Sequence, residues 1–375
     1  MRKTLTSCTD RGDESGLQPS SCIRVTLVGP SLRQLLGGQE VQAELLLRCW
    51  LHDSEIDVAF VPNNPEFPKR LRHVEDIPYV RTLVRLPLYL LALWRATTNS
   101  EIVHTFSASH SSFLLAPVPA WIVARIHRKN IVIHYHSRLA AEHLRESGIA
   151  RRIFSRFDRI VVPSEFLVGI FRDFGMKAIA IPNVVDLTQF AYRQRLPIRP
   201  LLLCTRNFDR YCGVDIVVRA FSKVKEAIPE ARLFLVGKGE EGIAIRNLVR
   251  ALDLQDVEFT GAITRDRIAE IYANADIFVN GSRCDNMPVS ILEAFASGLP
   301  VVTTAAGGIP YVVKNGVTGL LCDTEDWDAL ARNVIRVVND EHLASTLSHN
   351  AHEQSLTYQW QSVRNSWMNV YKSLI

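Results

Sequence analysis

Short segments rich in β-branched and aliphatic residues recur along this chain, and a longer helical segment follows almost every one of them. In the first half the predicted strands are 23–29, 56–61, 102–106, 130–136, 159–163 and 179–181. After a Pro- and Arg-containing connector, the alternation restarts with predicted strands at 201–205, 231–236, 257–259, 276–280 and 301–304. Alternation at this spacing is typical of a doubly wound parallel sheet. The sequence therefore predicts an α/β protein with two Rossmann-like domains in series.

The length of the chain supports two domains as well, because 375 residues exceed what one hydrophobic core comfortably serves. We assign residues 22–190 to an N-terminal domain and residues 191–350 to a C-terminal domain. The segment 351–375 carries four aromatic side chains, and we predict a helix there that packs back toward the N-terminal domain. Residues 1–21 are polar and lack an apolar stretch, so we expect a disordered leader.

The cysteines indicate the cellular compartment of the protein, and the charge distribution indicates the kind of partner that it binds. The seven cysteines are scattered without a C-x-x-C pair, which argues against a zinc site or a disulfide framework and favours a reducing, cytoplasmic location. The net charge of +4 is uneven, since residues 1–195 hold 25 basic and 18 acidic residues and residues 196–375 hold 18 and 21. A basic first half favours an anionic surface or acceptor, or reflects ordinary surface solvation.

The most apolar window of the chain is residues 83–96. It contains Arg85, Pro87 and Arg95 and is too short to span a bilayer. Arginines beside Leu, Tyr and Trp are typical of an interfacial amphipathic helix. Packing into the N-terminal core is the favoured alternative, because amphipathic helices usually turn their apolar face inward. Peripheral contact with the inner face of a membrane through the basic N-terminal domain stays a hypothesis.

A segment near residue 290 combines two carboxylates with a predicted helix start. Asp285 precedes the helix, Pro288 suits its first turn, and the pattern is helical from Val289 until residues 298–300. A helix N-terminus presents free N–H groups and a partial positive charge, which suit a diphosphate. Glu293 lies about one turn inside the helix, where it can accept hydrogen bonds from hydroxyl groups. The segment therefore predicts a site for a ligand with phosphate and hydroxyl groups, such as a nucleotide-sugar.

Asp285 and Glu293 are separated by seven residues and are followed by the segments 298–302, 307–310 and 315–321. In this combination the chain resembles glycosyltransferase family 4 (group 1), a large family of retaining nucleotide-sugar transferases with the GT-B fold. The resemblance covers nearly everything after residue 21. It implies two Rossmann-like domains that face a central cleft, a nucleotide-diphospho-sugar as donor, and no metal or other cofactor.

The resemblance also implies roles for individual residues. Asp285, His136 and Glu293 are expected to be catalytic, with Asp285 on the donor-sugar hydroxyls, His136 beside the sugar and Glu293 on the ribose. The expected donor-binding residues are Gly37, Gly38, Arg206, Lys238, Ile263, Met287, Pro288, Val289, Ser290 and Glu293. Asp285 as a mere helix cap is the alternative for that residue. His134 is expected to face away from His136 and, like His104 and His110, to be structural.

Three positions depart from the pattern of the family. Asp285 stands where Glu is common, and Tyr311 stands where a Glu often follows Gly-Gly-Ile-Pro. The usual Lys a few residues after the phosphate-binding Arg206 is absent, and we expect Arg210 or Lys238 to replace its charge.

The identity of the substrates is left open by the sequence. UDP-, GDP- and ADP-sugars are equivalent candidates for the donor, and a saccharide or a lipid-linked saccharide is the expected acceptor, in polysaccharide or glycoconjugate synthesis. No nucleic-acid partner is expected. Two other classes stay as alternatives: a degenerate, non-catalytic GT-B protein that binds nucleotide or acts as a scaffold, and a GT-B nucleotide-sugar epimerase.

Overall fold

A computed structural model of the chain describes residues 22–32, 37–67, 77 and 80–375, so the predicted leader lies outside the described residues. The N-terminal sheet has six strands: β1 (Ile23–Gly29), β2 (Ile56–Pro62), β3 (Ile102–Ser107), β4 (Asn130–Tyr135), β5 (Arg159–Val162) and β6 (Ile179–Ala180). The C-terminal sheet also has six: β7 (Leu201–Thr205), β8 (Arg232–Val236), β9 (Val257–Gly261), β10 (Ile277–Asn280), β11 (Val301–Thr304) and β12 (Leu320–Cys322). All strand pairs are parallel, which confirms the predicted α/β class.

Helices connect the strands. In the first half they are α1 (Gly38–Leu51), α2 (Val80–Asn99), α3 (Ser111–Leu115), α4 (Pro117–Ile126), α5 (Ala140–Glu146), α6 (Gly148–Phe154) and α7 (Glu165–Asp173). In the second half they are α8 (Val214–Ala227), α9 (Gly242–Ala251), α10 (Arg265–Asn274), α11 (Val289–Ala296), α12 (Ile309–Val312), α13 (Trp327–Asn339), α14 (Glu341–Ser355) and α15 (Trp360–Lys372). None of these helices is both long and apolar enough to cross a membrane.

The strand order of each sheet fixes where a ligand can bind. The orders are β2-β1-β3-β4-β5-β6 and β12-β11-β10-β7-β8-β9. The order in which successive strands are added therefore reverses between β1 and β3 in the first sheet and between β7 and β10 in the second. In open parallel sheets, ligands bind in the crevice at the carboxyl ends of the strands beside such a switch. Thr205 and Asn280 end the two strands at the second switch, so the loops after them are placed to form a site.

The second part of the connector between the sheets is anchored to the C-terminal domain by arginines. Arg193 and Arg199 both pair with the buried carboxylate of Asp276, at 2.6 and 2.7 Å. Arg195 is buried and donates to the carbonyl oxygens of Ala275 and Tyr272. Residues 193–199 of the connector are therefore fixed to the C-terminal domain.

The C-terminal segment crosses back to the N-terminal domain. Ala351 lies inside α14 and is buried in the C-terminal core, so the segment that returns begins at Trp360 rather than at 351. In α15, Trp367 and Tyr371 pack into the N-terminal core, and the Tyr371 hydroxyl lies 2.7 Å from Nδ1 of His104. The aromatic side chains of the segment find their partners there, because they cover the open face of the first sheet.

Helix α10 begins earlier than its sequence pattern predicts. The pattern predicts a short helix at 269–273, but the helix extends from Arg265 to Asn274. Thr264 occupies the capping position before it, and a Thr at that place is a recognised start signal. The earlier start matters, because it brings Arg265 to the edge of the sheet where the ligand crevice lies.

Candidate functional site

The predicted site residues meet at one cavity of about 450 Å³ between the two domains. Its lining includes each of them: Gly37, Gly38, His136, Arg206, Lys238, Ile263, Asp285, Met287, Pro288, Val289, Ser290 and Glu293. Gly37 caps α1, so an N-terminal helix end opens onto the cavity from the first domain. The second domain contributes the loops after β7, β8, β9 and β10 and the start of α11. The structure thus places these residues together, while the roles given to them stay predictions.

The carboxylate of Asp285 is held by the guanidinium of Arg206, and the two side chains are only 15% and 11% exposed. Arg206 also donates to Oγ of Ser290 at 3.3 Å. Burial opposes the charge on Arg206, but Asp285 beside it raises the pKa of Arg206 above its usual value. Pro288, not Asp285, occupies the capping position of α11. The alternative that Asp285 only caps the helix is therefore wrong.

A pair of glycines fixes the backbone that carries Asp285. The N–H of Gly308 donates to the carbonyl oxygen of Asp285 at 2.8 Å. A Cβ built on Gly307 would lie 2.3 Å from that same carbonyl oxygen, and one on Gly308 would lie 2.1 Å from the carbonyl oxygen of Asn286. Only glycine permits this approach, so the Gly307-Gly308 turn also positions the first carboxylate.

Glu293 is buried in a network that the sequence did not reveal. Arg265 pairs with one of its carboxylate oxygens, and Tyr272 donates to the other at 2.9 Å. Thr205 lies 2.6 Å from the Tyr272 hydroxyl and holds it in place. Burial raises the pKa of Glu293, while the charge of Arg265 opposes that shift. Neither Arg265 nor Tyr272 was among the predicted site residues, although the Thr264 cap signal places Arg265 at a helix start.

Further positive charge reaches the cavity from both domains. Of the two residues expected to replace the missing Lys, Arg210 is exposed and lies outside the cavity lining, whereas Lys238 lines the cavity. Arg138, which the sequence did not single out, also lines it and pairs with Asp209 at 3.2 Å. Its guanidinium lies 5.5 Å from the ring of Tyr211. Arg138 of the N-terminal domain therefore crosses the cavity and contacts the loop after β7.

His136 lies at the end of β4 beside a second histidine. The rings of His134 and His136 are 4.1 Å apart, so the prediction that they face opposite ways is wrong. Residues two apart along a strand share a face, which explains the contact. Burial lowers the pKa of His136 to about 3, so the ring is neutral at neutral pH. His104 is buried beneath α15 and His110 is exposed.

Several cavity side chains keep hydrogen-bonding capacity that the protein does not use. Among the described residues, Nε of Arg206, Nε and Nη2 of Arg265 and Nε2 of His136 are buried without a partner. Buried polar atoms are normally satisfied, so these atoms are suited to a polar ligand. With two helix N-termini, four cationic side chains and three carboxylates, the cavity can hold a ligand that is both anionic and rich in hydroxyls.

Potential metal ligands come together elsewhere. Within the described residues, one exposed group formed by His110, Glu142 and Glu146 has ligand atoms within 4.8 Å of one another. None of these three residues lines the cavity.

Two family models match the chain side by side. Residues 36–189 match Glycosyltransferase Family 4, and residues 189–354 match Glycosyl transferases group 1. The N-acetyl-alpha-D-glucosaminyl L-malate synthase of Bacillus anthracis is 36% identical over 154 residues, which are 41% of this chain and 40% of that protein. The D-inositol 3-phosphate glycosyltransferase of Mycobacteroides abscessus is 26% identical over 323 residues, or 76% of this chain and 71% of that protein. The first of these matches thus spans about two fifths of its relative.

Solved structures share the whole architecture. Sucrose-phosphate synthase from Thermosynechococcus elongatus superimposes with a TM-score of 0.75 at 22% identity, covering 94% of this chain and 99% of that one. Anabaena HepE in complex with UDP and glucose superimposes with a TM-score of 0.72 at 18% identity, covering 94% and 100%. At these identities the likeness shows the fold. The predicted GT-B arrangement is thereby confirmed, and the chain belongs to the group 1 glycosyltransferases of family 4.

Proposed function

We propose that this protein transfers a sugar from a nucleotide-diphospho-sugar to an acceptor hydroxyl, with retention of the anomeric configuration. The observation that carries the proposal is the presence of two buried Arg–carboxylate pairs in one cavity, Arg206 with Asp285 and Arg265 with Glu293. Each pair offers a cation for phosphate oxygens and a carboxylate for sugar or ribose hydroxyls. Charged hydrogen bonds of this kind are strong where water is excluded.

The difficult step is departure of the diphosphate. The bond between the anomeric carbon and the β-phosphate oxygen breaks, and its electron pair stays on the phosphate. We assign stabilisation of that charge to Arg206, to Arg138 from the opposite domain and to the start of α11. The acceptor oxygen then bonds to the anomeric carbon on the same face, and its proton passes to the leaving phosphate.

The remaining roles follow from position. Asp285 binds donor-sugar hydroxyls and steadies the positive charge that develops at the anomeric carbon. Glu293 binds the ribose hydroxyls, and Tyr272 and Arg265 orient it. His136 is neutral because burial lowers its pKa, so it serves as a hydrogen-bond partner of the sugar and not as a cation. We propose that no metal takes part, since cationic side chains supply the positive charge.

The classes of donor and acceptor rest on the relatives. HepE of the same fold was solved with UDP and with UDP-glucose, and another relative is named a GDP-mannose-dependent mannosyltransferase. These names support a nucleotide-sugar donor, and UDP-, GDP- and ADP-sugars all belong in the first test. We propose a saccharide or lipid-linked saccharide as acceptor, in glycoconjugate or polysaccharide synthesis, at a cytoplasmic location.

The proposal is tested with the full chain and a panel of nucleotide-sugars. Release of nucleoside diphosphate is measured with and without EDTA, and the anomer of the product is read by NMR. Glu293→Ala is expected to lower kcat/KM by roughly 10- to 100-fold, because hydrogen bonds to a charged group are lost. Glu226→Ala is the control, since Glu226 is an exposed residue that pairs with Lys223 at 3.5 Å.

Each outcome has a distinct meaning. Nucleotide binding without turnover on any donor would overturn transfer and favour a scaffold, and an epimerised donor would favour an epimerase. An inverted product would overturn retention alone. Loss of activity with EDTA would overturn metal independence. Unchanged kinetics in Glu293→Ala would remove that residue from the site.

A further inference from the structure

The outer face of α2 is apolar and open to solvent. Four large apolar side chains recur along it at helical spacing and are exposed: Leu83 (73%), Leu90 (37%), Leu91 (48%) and Trp94 (47%). The inward face is formed by Tyr89, Leu93 and Thr97, which are buried. The helix therefore has apolar residues on both faces, and packing into the core, the alternative favoured from the sequence, accounts for only one of them.

The apolar surface continues onto α4. The ring of Trp94 lies 4.3 Å from that of His127, which follows the last residue of α4. Ile122 and Ile126 of α4 are 45% and 58% exposed. We call Leu83, Leu90, Leu91, Trp94, Ile122 and Ile126 together the outer strip. A patch of adjacent large apolar side chains on a surface marks an interaction site.

The segment that carries the outer strip is predominantly basic, and one of its arginines, Arg125, pairs with Asp158 at 3.0 Å. Residues 80–129 contain six basic residues, Arg81, Arg85, Arg95, Arg125, Arg128 and Lys129, and a single acidic one. That residue, Glu101, pairs with Arg24 at 3.8 Å. Arg81, Arg95 and Arg128 are exposed, and within the described residues no carboxylate pairs with them. The apolar side chains are thus flanked by three exposed cations that have no ion-pair partner in the part of the chain that the structure describes.

We propose that the outer strip docks on the surface of an anionic lipid bilayer. Leucine, isoleucine and tryptophan side chains would enter the headgroup region, while Arg81, Arg95 and Arg128 meet the lipid phosphates. Self-association through the same patch is disfavoured, because a two-fold interface would bring the two sets of cations together. This inference rests on the outer surface of the N-terminal domain and is independent of the chemistry proposed for the cavity.

Co-sedimentation of the full chain with vesicles tests the docking surface. The wild-type protein is expected to bind vesicles that contain phosphatidylglycerol, and to bind phosphatidylcholine alone weakly or not at all. Leu83→Ser with Leu91→Ser removes apolar contact and is expected to lower partitioning by roughly tenfold or more. Arg81→Gln with Arg95→Gln is expected to lower it by roughly 25-fold and to weaken its salt dependence, since each basic side chain near an anionic surface contributes about fivefold.

Matched controls come from the other domain. Ile243→Ser with Leu252→Ser removes apolar side chains that are 77% and 37% exposed, and Arg250→Gln with Arg267→Gln removes exposed cations. Both controls are expected to bind vesicles as the wild type does. Circular dichroism and the shift in Tm on adding UDP or GDP report whether each variant is folded, and the Tm shift also tests the cavity separately from docking.

Three results would overturn the proposal. The first is absence of binding to anionic vesicles by a folded wild-type protein. The second is an equal loss of binding in the C-terminal controls. The third is a dimer in analytical ultracentrifugation that dissociates in Leu83→Ser with Leu91→Ser, which would make the outer strip an interface between copies of this chain.

Discussion

Two arginines in the cavity form ion pairs with carboxylates from distant segments of the chain. Arg206 follows β7 and meets Asp285, which lies after β10. Arg138 comes from the N-terminal domain and meets Asp209 of the C-terminal domain at 3.2 Å. A donor diphosphate bound as proposed would compete with these carboxylates for the same guanidinium groups, because both ligands suit the Arg fork. We therefore expect donor binding to be coupled, through Arg138, to the contact between the domains.

Replacing Arg138 tests this coupling. Arg138→Gln is expected to lower kcat/KM for the donor by roughly 10- to 100-fold, because a cation near the leaving phosphate is lost. Arg138→Lys keeps the charge and is expected to recover part of the activity, which a purely structural role would not produce. Steady-state kinetics with whichever donor the nucleotide-sugar panel identifies provide the measurement. Arg210→Gln is the matched control, because Arg210 is an exposed arginine outside the cavity; a larger effect there than at position 138 would contradict the assignment.

At the scale of elements, the site is positioned by backbone contacts between loops. The turn before α12 lies against the loop before α11, where Gly307 and Gly308 approach the carbonyl oxygens of Asp285 and Asn286. Gly307 has a φ of 55° in the left-handed region. Side-chain atoms at this turn would push the Asp285 loop away from Arg206, so the glycines are part of the architecture of the site.

Two glycine substitutions distinguish the effect of a close contact between a new Cβ and the backbone from the effect of a left-handed φ. Gly307→Ala places a Cβ 2.3 Å from a backbone oxygen, and we expect at least a tenfold loss of activity because the loop must move. Gly316→Ala has a similar left-handed φ of 73° but no atom within 4 Å of its Cβ. It is expected to cost only about 1–2 kcal/mol of stability from strain and to keep the activity. Urea unfolding and kinetics on both variants provide the comparison; equal activity would show that the contact at Gly307 is dispensable.

Across the whole molecule, the chain passes between the two domains twice, first near Val185 and again near Tyr358. These two crossings lie side by side. The N–H of Val185 in the first crossing donates to the carbonyl oxygen of Tyr358 in the second, at 3.0 Å. Beyond the second crossing, Trp367 of α15 packs on His104 and His134 of the first sheet. His136 lies beside His134. Burial lowers the pKa of His104 and of His136 to about 3 and that of His134 well below its ordinary value of 6.5.

Acid is therefore expected to destabilise the fold through these histidines. The folded-state pKa values lie below 6.5, so below pH 6.5 the unfolded chain takes up protons that the folded chain does not. The part of the free energy of unfolding that is linked to these histidines is fully present above pH 6.5 and is lost as the pH falls toward 3. His134→Phe removes one such group, whose ring nitrogens have no partner among the described residues. This substitution is expected to reduce the slope of the free energy of unfolding against pH by about 1.4 kcal/mol per pH unit.

The free energy of unfolding in urea at pH 7, 6 and 5 gives the slope. His342→Gln is the control at an exposed histidine and is expected to keep the slope of the wild type. A slope that is the same in His134→Phe and in the wild-type protein would show that His134 does not carry the acid sensitivity.

The sequence by itself determined the class of the fold and the neighbourhood of the site. Hydrophobic runs of strand length alternate with helical segments, and this periodicity is local, so two parallel sheets followed from it. The segment that begins at Asp285 was equally informative. The two carboxylates, the helix start and the glycine-rich turns that follow are all close together in the sequence. The prediction that one cleft gathers these residues is consistent with the lining of the cavity.

Only the tertiary structure decided which side chains from distant segments meet. Arg138 and Arg265 line the cavity from the loop after β4 and from α10, and Tyr272, also on α10, donates to Glu293. No local pattern links these residues to the carboxylates that they serve. The exposed face of α2 is a similar case, because an amphipathic pattern shows that a helix has an apolar side but not whether a neighbour covers it. Contacts between distant segments are set by how the sheets and domains assemble, and that assembly is a property of the whole chain.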